Sequence, residues 1–319
     1  MDYIASKKIS ENTNYVKEQR MFDKILIPLD GSELSESAIP YVRDLAARLK
    51  AEAYLLHVCP PGHQHLVRMH SIYLNYVAES LKKEIKDLWG IEIPKLQAEV
   101  ITGEEPARAI SEYVQKNSIN LVVMTTRGAS GIRALAMGNV ADKVVRGLGI
   151  PTLLIRVAGK TPGPQKKGLI QRILVPLDSS EASKIAVPYA VELARKLQAS
   201  ITLFSMAETI YARNLDGMNA GVGVNWDEID AATLKYLEEY LQSIENEVKS
   251  QGVAVEHITK LGIDAASEIL ELEKKIQFDL IIMATRGRSP VARWAFGSTA
   301  EKILREGQIP LMVIREAGN

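Results

Sequence analysis

The sequence predicts an α/β protein built from two doubly wound domains, each a five-stranded parallel sheet with helices on both faces. The first observation behind this prediction is an internal repeat. FDKILIPLDGS at 22–32 returns as IQRILVPLDSS at 170–180, so Asp178 repeats Asp30 at an offset of 148 positions. The second is that each copy alternates short apolar runs, typical of buried parallel strands, with segments of helical periodicity.

In the first copy, five apolar runs are separated by four helical segments. The predicted strands are Lys24–Leu29, Ala53–Val58, Ala98–Ile101, Leu121–Thr125 and Thr152–Val157. The predicted helices start at Ser32 or Ser35 and then cover about Ser71–Trp89, Glu104–Asn117 and Val140–Arg146. Pro40 lies within the first helix, where a proline removes a backbone donor and is expected to cause a kink.

The second copy follows the same pattern. Its predicted strands are Arg172–Leu177, Ser200–Phe204, Ala254–Ile258, Leu280–Ala284 and Leu311–Arg315. Later landmarks repeat at an offset of 159 positions, as from Gly138 to Gly297, so the second copy contains 11 extra residues. We place them in the glycine-rich segment Asn214–Trp226 and expect a mobile loop there. The order of elements suits a flavodoxin-like, or Rossmann-like, sheet with strand order 3-2-1-4-5 in each domain.

The domain boundaries follow from the repeat and from local composition. Residues 1–20 are polar and are expected to form a flexible arm before the first domain, 21–157. A polar segment rich in proline and glycine, 158–169, is expected to link it to the second domain, 170–316.

Composition excludes several classes of function. The 39 basic residues balance 39 acidic ones, which argues against nucleic-acid binding. No apolar run approaches the roughly 20 residues of a membrane span. Cys59 is the only cysteine, which excludes an intrachain disulfide and fits a reducing cytoplasm. Four histidines occur close together, but without a cysteine or carboxylate at a recognised metal-binding spacing, and we expect no metal site. They are His57, His63, His65 and His70.

The strand order brings two repeated features to one crevice. Ligands of doubly wound sheets bind at the carboxyl ends of the strands where the order reverses, here between the first and fourth strands. Asp178 follows the first strand, where it could form an Asx turn or accept hydrogen bonds from a ribose or adenine. A glycine-rich stretch follows the fourth strand and leads to Gly297 and Ser298 at a helix start, an arrangement that favours phosphate.

With these residues in place, the chain resembles the universal stress protein family in its tandem form. The resemblance covers nearly all of residues 21–316 and includes the PLDGS and PLDSS openings, the glycine stretches and the closing IPTLLIR and IPLMVIR strands. ATP-binding members of that family have G-x-x-G, nine residues, then G-S or G-T. The second copy departs from this pattern at Ala284 and the first at Thr125, both in place of the first glycine. The first copy also has Asn139 where the pattern has Ser or Thr.

The resemblance implies ATP as a ligand, with or without Mg²⁺, and a better site in the second copy. The residues expected there are Pro176, Leu177, Asp178, Ser179, Met283, Ala284, Gly287, Arg288, Gly297, Ser298 and Thr299. The equivalent residues of the less favourable first site are Pro28, Leu29, Asp30, Gly128, Gly138 and Asn139.

Three functions are open on this basis. The leading one is a cytoplasmic, non-enzymatic stress-response protein that uses an adenine nucleotide as a regulatory ligand. The resemblance further implies a homo-oligomer, and a pseudo-twofold pairing of the two domains through their last strands. The second function, suggested by Thr125, Ala284 and Asn139, is an interaction module whose sites no longer bind nucleotide. The third is an enzyme acting on an adenylated substrate, for which the sequence offers no reactive group.

Overall fold

The described residues form one continuous sheet. The computed structural model describes residues 21–126, 137–156, 166–209, 225–285 and 297–315. Within these ranges ten strands lie side by side, five from each copy of the repeat. None of the helices in the same ranges has the length and apolar character needed to span a bilayer.

The first half has the predicted order of elements. Its strands are β1 (Lys24–Pro28), β2 (Glu52–Cys59), β3 (Leu96–Thr102), β4 (Leu121–Thr125) and β5 (Thr152–Ile155). Its helices are α1 (Glu33–Glu36), α2 (Ile39–Leu49), α3 (Val67–Trp89), α4 (Pro106–Asn117) and α5 (Asn139–Gly147). The strands are parallel and lie in the order β3-β2-β1-β4-β5, which confirms the predicted order 3-2-1-4-5.

The second half repeats this architecture. Its strands are β6 (Arg172–Pro176), β7 (Ser200–Glu208), β8 (Val255–Gly262), β9 (Leu280–Ala284) and β10 (Leu311–Ile314). Its helices are α6 (Glu181–Lys184), α7 (Ala186–Leu197), α8 (Trp226–Ser250), α9 (Ala265–Lys275) and α10 (Ser298–Glu306). Its strands lie in the order β8-β7-β6-β9-β10, which is again 3-2-1-4-5 when the strands are numbered within the second half.

Two local predictions need correction. The single helix expected after Ser32 is two helices, α1 and α2, and Pro40 is only the second residue of α2. A proline in the first turn lacks only a donor that has no partner within the helix, so no kink is required. The segment Asn214–Trp226 lies mostly outside the described residues. Its last residue is not loop, because α8 begins at Trp226 and the side chain of Asn225 caps it.

The two halves join through their last strands. β5 and β10 pair antiparallel, with Leu154 opposite Leu311 and Thr152 opposite Val313, as the resemblance implies. The carboxyl ends of the two sets of parallel strands therefore lie at opposite edges of the sheet. One face of the sheet packs on α2, α3, α7 and α8, and the other on α4, α5, α9 and α10. Side chains of a strand alternate between the two faces, so each strand contributes to both cores. Because the sheet is continuous, each core contains residues from both halves.

Charged side chains cross the junction and satisfy helix ends. The Arg156 guanidinium donates hydrogen bonds to the last carbonyls of α10, at 3.1 Å for Ile303 and 2.9 Å for Arg305. Arg48 donates from α2 to the carbonyl oxygen of Leu197, where α7 ends. Carbonyls in the last turn of a helix lack the donors of a further turn, so a cation from the other half supplies donors there, and Ile303 O also accepts from the Gly307 N–H at 2.8 Å.

The edge strand β8 is held to α8 by an imidazole between two carboxylates. His257 Nδ1 contacts Glu245, and His257 Nε2 lies 2.8 Å from Glu238 Oε1. Burial by itself would lower the pKa of His257, but the hydrogen bonds and charges of the two glutamates raise it above the ordinary value. The charged imidazolium therefore stabilises the folded state.

We expect this contact to make stability depend on pH. Because the folded pKa is raised, the contribution is fully present below the unfolded pKa of about 6.5 and is lost as pH rises through the folded pKa. His257→Leu should reduce the unfolding free energy by about 2 kcal/mol at about pH 6, and the difference should narrow towards about pH 9. Urea unfolding across this range measures it, with the exposed His65→Gln as control. A difference that does not change with pH would contradict the assignment.

A second prediction concerns the junction. Arg156→Met should remove the side-chain donors to Leu304 O and Arg305 O at the end of α10 and lower the unfolding free energy by about 2 kcal/mol. Arg108→Met is the matched control, because its ion pair with Glu112 is exposed and screened by solvent, so the loss of stability should be much smaller. Denaturant midpoints of both variants test the comparison, and equal losses would show that Arg156 has no special role.

Candidate functional site

A proline separates the two central strands of the second half. β6 and β9 pair only at Ile173–Leu280 and Leu174–Ile281. The Leu177 N–H donates to Phe204 O on the β7 side, at 2.8 Å. Since successive residues of a strand direct their backbone groups to opposite sides, the nitrogen of Pro176 lies on the β9 side, where it has no hydrogen to donate. The two strands therefore part before their carboxyl ends, and a crevice begins there.

The residues after Pro176 form a fixed turn. Leu177 is buried and anchors the segment in the core. Asp178 Oδ1 accepts hydrogen bonds from Ser180 N at 3.0 Å and from Ser180 Oγ at 2.5 Å. The Ser180 hydroxyl oxygen also accepts from Ser183 N and so caps α6. Of the two roles considered for Asp178, the Asx turn is present, and it holds the carboxylate at the strand end.

Ser179 has an unusual backbone conformation. Its φ is +66°, in the left-handed region, where the first half has Gly31 at φ +83°. A residue with a side chain is disfavoured in this region, and such strain is often found at functional sites. The Ser179 hydroxyl is buried and makes no hydrogen bond within the described part of the chain. It therefore has the capacity to bind a ligand group.

The other wall of the crevice is the end of β9. Met283 and Ala284 are buried, and Thr285 follows them. The Gly297 N–H donates to Thr285 O at 2.9 Å, so the chain returns to the strand end from which it left. A Cβ at Gly297 would lie 3.3 Å from this same oxygen, which is tighter than an ordinary contact. The close return of the backbone is a reason for glycine here.

Gly297 is also the N-cap of α10. A glycine has no side chain to accept hydrogen bonds from the first-turn N–H groups, and none caps this helix. Ser298 and Thr299 are the first two residues of the helix, so Ser298 is not the N-cap. The first turn, with its amide groups and the Ser298 hydroxyl, is an arrangement suited to an anion.

These two walls belong to one edge of the sheet. Helix α6, which follows the Asp178 turn, contacts β9. The sequence-predicted residues Pro176–Ser179, Met283–Ala284 and Gly297–Thr299 thus lie at the carboxyl ends of two adjacent strands. The predicted residues Gly287, Arg288 and Gly128 lie outside the described residues.

The first half has the same arrangement at the carboxyl ends of β1 and β4. Pro28 ends β1, Leu29 is buried, and Asp30 Oδ1 accepts from Ser32 N at 3.0 Å. Gly138 caps α5, which starts at Asn139, so Asn139 is likewise not the N-cap. The arrangement inferred from the repeat is thus built twice, at opposite edges of the sheet.

The two crevices differ at the neighbouring strand. In the first half, His57 Nδ1 lies 2.9 Å from Leu29 O, and its ring stacks on His70 with centroids 3.9 Å apart. Burial and the neighbouring His57 lower the pKa of His70. The position equivalent to His57 in the second half is Ser205, which is buried and whose hydroxyl makes no hydrogen bond in the described ranges. An imidazole that stacks on a second one thus stands at the strand position where the second half has a small hydroxyl.

Sequence reasoning missed a charged contact that helix α10 makes with α9. Lys302 of α10 donates to Asp264 Oδ2 at 2.6 Å and to Ser267 Oγ at 2.7 Å. The hydrogen bonds from Lys302 and Ser267 lower the pKa of Asp264 to about 2. Lys143 and Glu105 form the equivalent pair in the first half. The offset of 159 between the two pairs was a signal in the sequence that could have identified this contact.

Comparison with known protein families matches the two halves of the chain separately. A profile of the universal stress protein family matches residues 21–156 and 169–315. Universal stress protein YxiE of Bacillus subtilis is 31% identical over 151 residues, which are 43% of this chain and 100% of that protein. Universal stress protein MT2698 of Mycobacterium tuberculosis is 21% identical over 308 residues, 92% of this chain and 96% of that protein.

Solved structures agree on the fold. A universal stress protein from Archaeoglobus fulgidus has a TM-score of 0.67 at 20% identity, covering 92% of this chain and 99% of its own. Protein PA1789 of Pseudomonas aeruginosa, described as functionally unknown, has a TM-score of 0.67 at 16% identity, with 95% of both chains covered. The family profile matches most of the chain, and the chain therefore belongs to the universal stress protein family.

Proposed function

We propose that this chain is a cytoplasmic stress-response protein that binds ATP or a related adenine nucleotide as a regulatory ligand. Its units would be two domains, 21–157 and 170–316, joined by residues 158–169. The observation that supports the proposal is the pair of walls at the β6–β9 crevice. A fixed carboxylate, Asp178, follows one strand, and a helix with a glycine N-cap follows the other.

The chemistry of the two walls suits the two ends of a nucleotide. A carboxylate accepts hydrogen bonds from ribose hydroxyls or an adenine amine. A helix N-terminus without a side-chain cap favours phosphate, through its N–H groups and its dipole. Mg²⁺ could accompany the phosphates. In this proposal the nucleotide is a ligand rather than a substrate, and its binding shifts a conformational or partner-binding equilibrium.

Three differences favour the second domain as the better site. Ser298 has a hydroxyl at the first helical position, where the first domain has Asn139. Ser205 and Ser179 have buried hydroxyls without hydrogen bonds in the described residues, and a ligand could satisfy them. At the position of Ser205 the first domain has His57, whose larger ring stacks on His70.

A nucleotide-independent interaction module is the second candidate. It is favoured by Ala284 and Thr125, which stand at the first glycine position of the ATP-binding pattern and are both buried at strand ends. A side chain at this point narrows the approach to the phosphate-binding turn. If no nucleotide co-purifies and calorimetry detects no binding at millimolar ATP, this second function replaces the first.

The direct test of the proposal is titration of the full chain with ATP. Asp178→Asn keeps an acceptor for the Asx turn but removes the charge, so affinity should fall roughly 10- to 100-fold, the value of a charge-assisted hydrogen bond. Asp30→Asn makes the same change in the first domain and should leave the affinity within about twofold. Isothermal titration calorimetry measures both. An equal loss in the two variants, or a loss only in Asp30→Asn, would contradict the assignment to the second domain.

The helix N-terminus can be tested separately. Ser298→Ala should remove one hydroxyl donor to phosphate and weaken ATP about fivefold, equivalent to ~1 kcal/mol. It should weaken adenosine much less, because adenosine has no phosphate. Asn139→Ala is the matched control in the first domain and should change neither affinity. Equal effects of Ser298→Ala on ATP and adenosine would show that the helix start does not bind phosphate.

A further inference from the structure

The outer helices of one helical layer have exposed apolar stripes. Met69, Ile72 and Tyr76 follow one another at helical spacing on α3, and their exposed fractions are 55%, 64% and 73%. This group, the α3 stripe, lies opposite the face that α3 buries through Leu74, Ala78 and Leu81. Exposed apolar side chains that form a contiguous patch mark an interaction surface, whereas scattered ones do not.

Helix α8 has a stripe of its own. Ile229 and Tyr236 are 40% and 55% exposed and two turns apart, and Ala232 and Thr233 lie between them on the same open face of the helix. We call these four residues the α8 stripe. The two stripes include five of the six large apolar side chains that are exposed within the described ranges. Both helices pack on the same core, so the stripes lie on the same side of the sheet.

The charges at the amino-terminal ends of the two stripes are opposite. Arg68 is exposed next to the α3 stripe, and the first turn of α3 contains no acidic residue. Asp227 and Glu228 are exposed in the first turn of α8. The acidic residues suit the positive end of their own helix, whereas Arg68, a cation in the first turn of α3, is unfavourably placed relative to the dipole of its helix. Within the described part of the chain, none of the three side chains forms an ion pair.

We propose that the two stripes bind each other between two copies of this chain. The α3 stripe of one copy packs on the α8 stripe of the second, and Arg68 faces Glu228 across the contact. A twofold axis makes the contact reciprocal, so each pair of copies forms it twice. The apolar side chains bury surface in the contact. The opposite charges favour pairing of α3 with α8 over pairing of two α3 helices or two α8 helices.

Sedimentation velocity of the full chain tests this contact without nucleotide, so its failure leaves the proposed function standing. The wild-type chain should dimerise as its concentration rises, and Tyr76→Asp should remain monomeric. Arg68→Glu and Glu228→Arg should each raise the dimer dissociation constant roughly tenfold, because each change creates a like-charge pair in both contacts. The double variant restores opposite charges and should return to within about threefold of wild type.

Lys82→Glu is the matched control. It reverses a charge on α3 about 21 Å along the helix from Arg68 and should leave the dissociation constant within about twofold. Circular dichroism verifies the fold of every variant. A wild-type chain that is monomeric at all concentrations overturns the proposal. So does a dimer whose dissociation constant is not restored in the double variant.

Discussion

The antiparallel pairing of β5 with β10 determines the arrangement of this molecule. Each half has five parallel strands, and without the pairing each sheet would end in an exposed row of backbone N–H and C=O groups. The pairing satisfies both rows at once and makes one ten-stranded sheet. It also reverses the second half relative to the first, so the two candidate crevices open at opposite edges. Arg156 and Arg48 then cap helices of the opposite half.

Within each half, the Pro-Leu-Asp segment performs three physical tasks. The proline lacks the N–H that would continue the ladder towards the neighbouring strand, so a crevice opens. The buried leucine holds the segment in the core, and the aspartate bonds the turn that follows. On the facing strand, the bond between Gly297 N and Thr285 O returns the chain to the same edge and sets the start of α10.

Both copies of the repeat have this backbone arrangement, but the side chains around it differ. His57 and His70 stack where the second half has Ser205, and Gly31 stands where Ser179 adopts a positive φ. The second half also fixes its edge strand through His257 and two glutamates, and the first half has Ala98 at the equivalent position. Two copies of one architecture thus differ in the side chains that surround the shared backbone frame.

The sequence by itself determined the repeat, the strand order and the strand-end residues, because apolar periodicity and turn chemistry are local properties. It could not place the N-cap at Gly297 rather than Ser298, since that choice depends on the backbone returning to Thr285. Only the tertiary structure brought Lys302 to Asp264 and stacked His57 on His70. It also separated exposed Tyr76 from buried Leu74, because contacts between distant segments decide which face of a helix is covered.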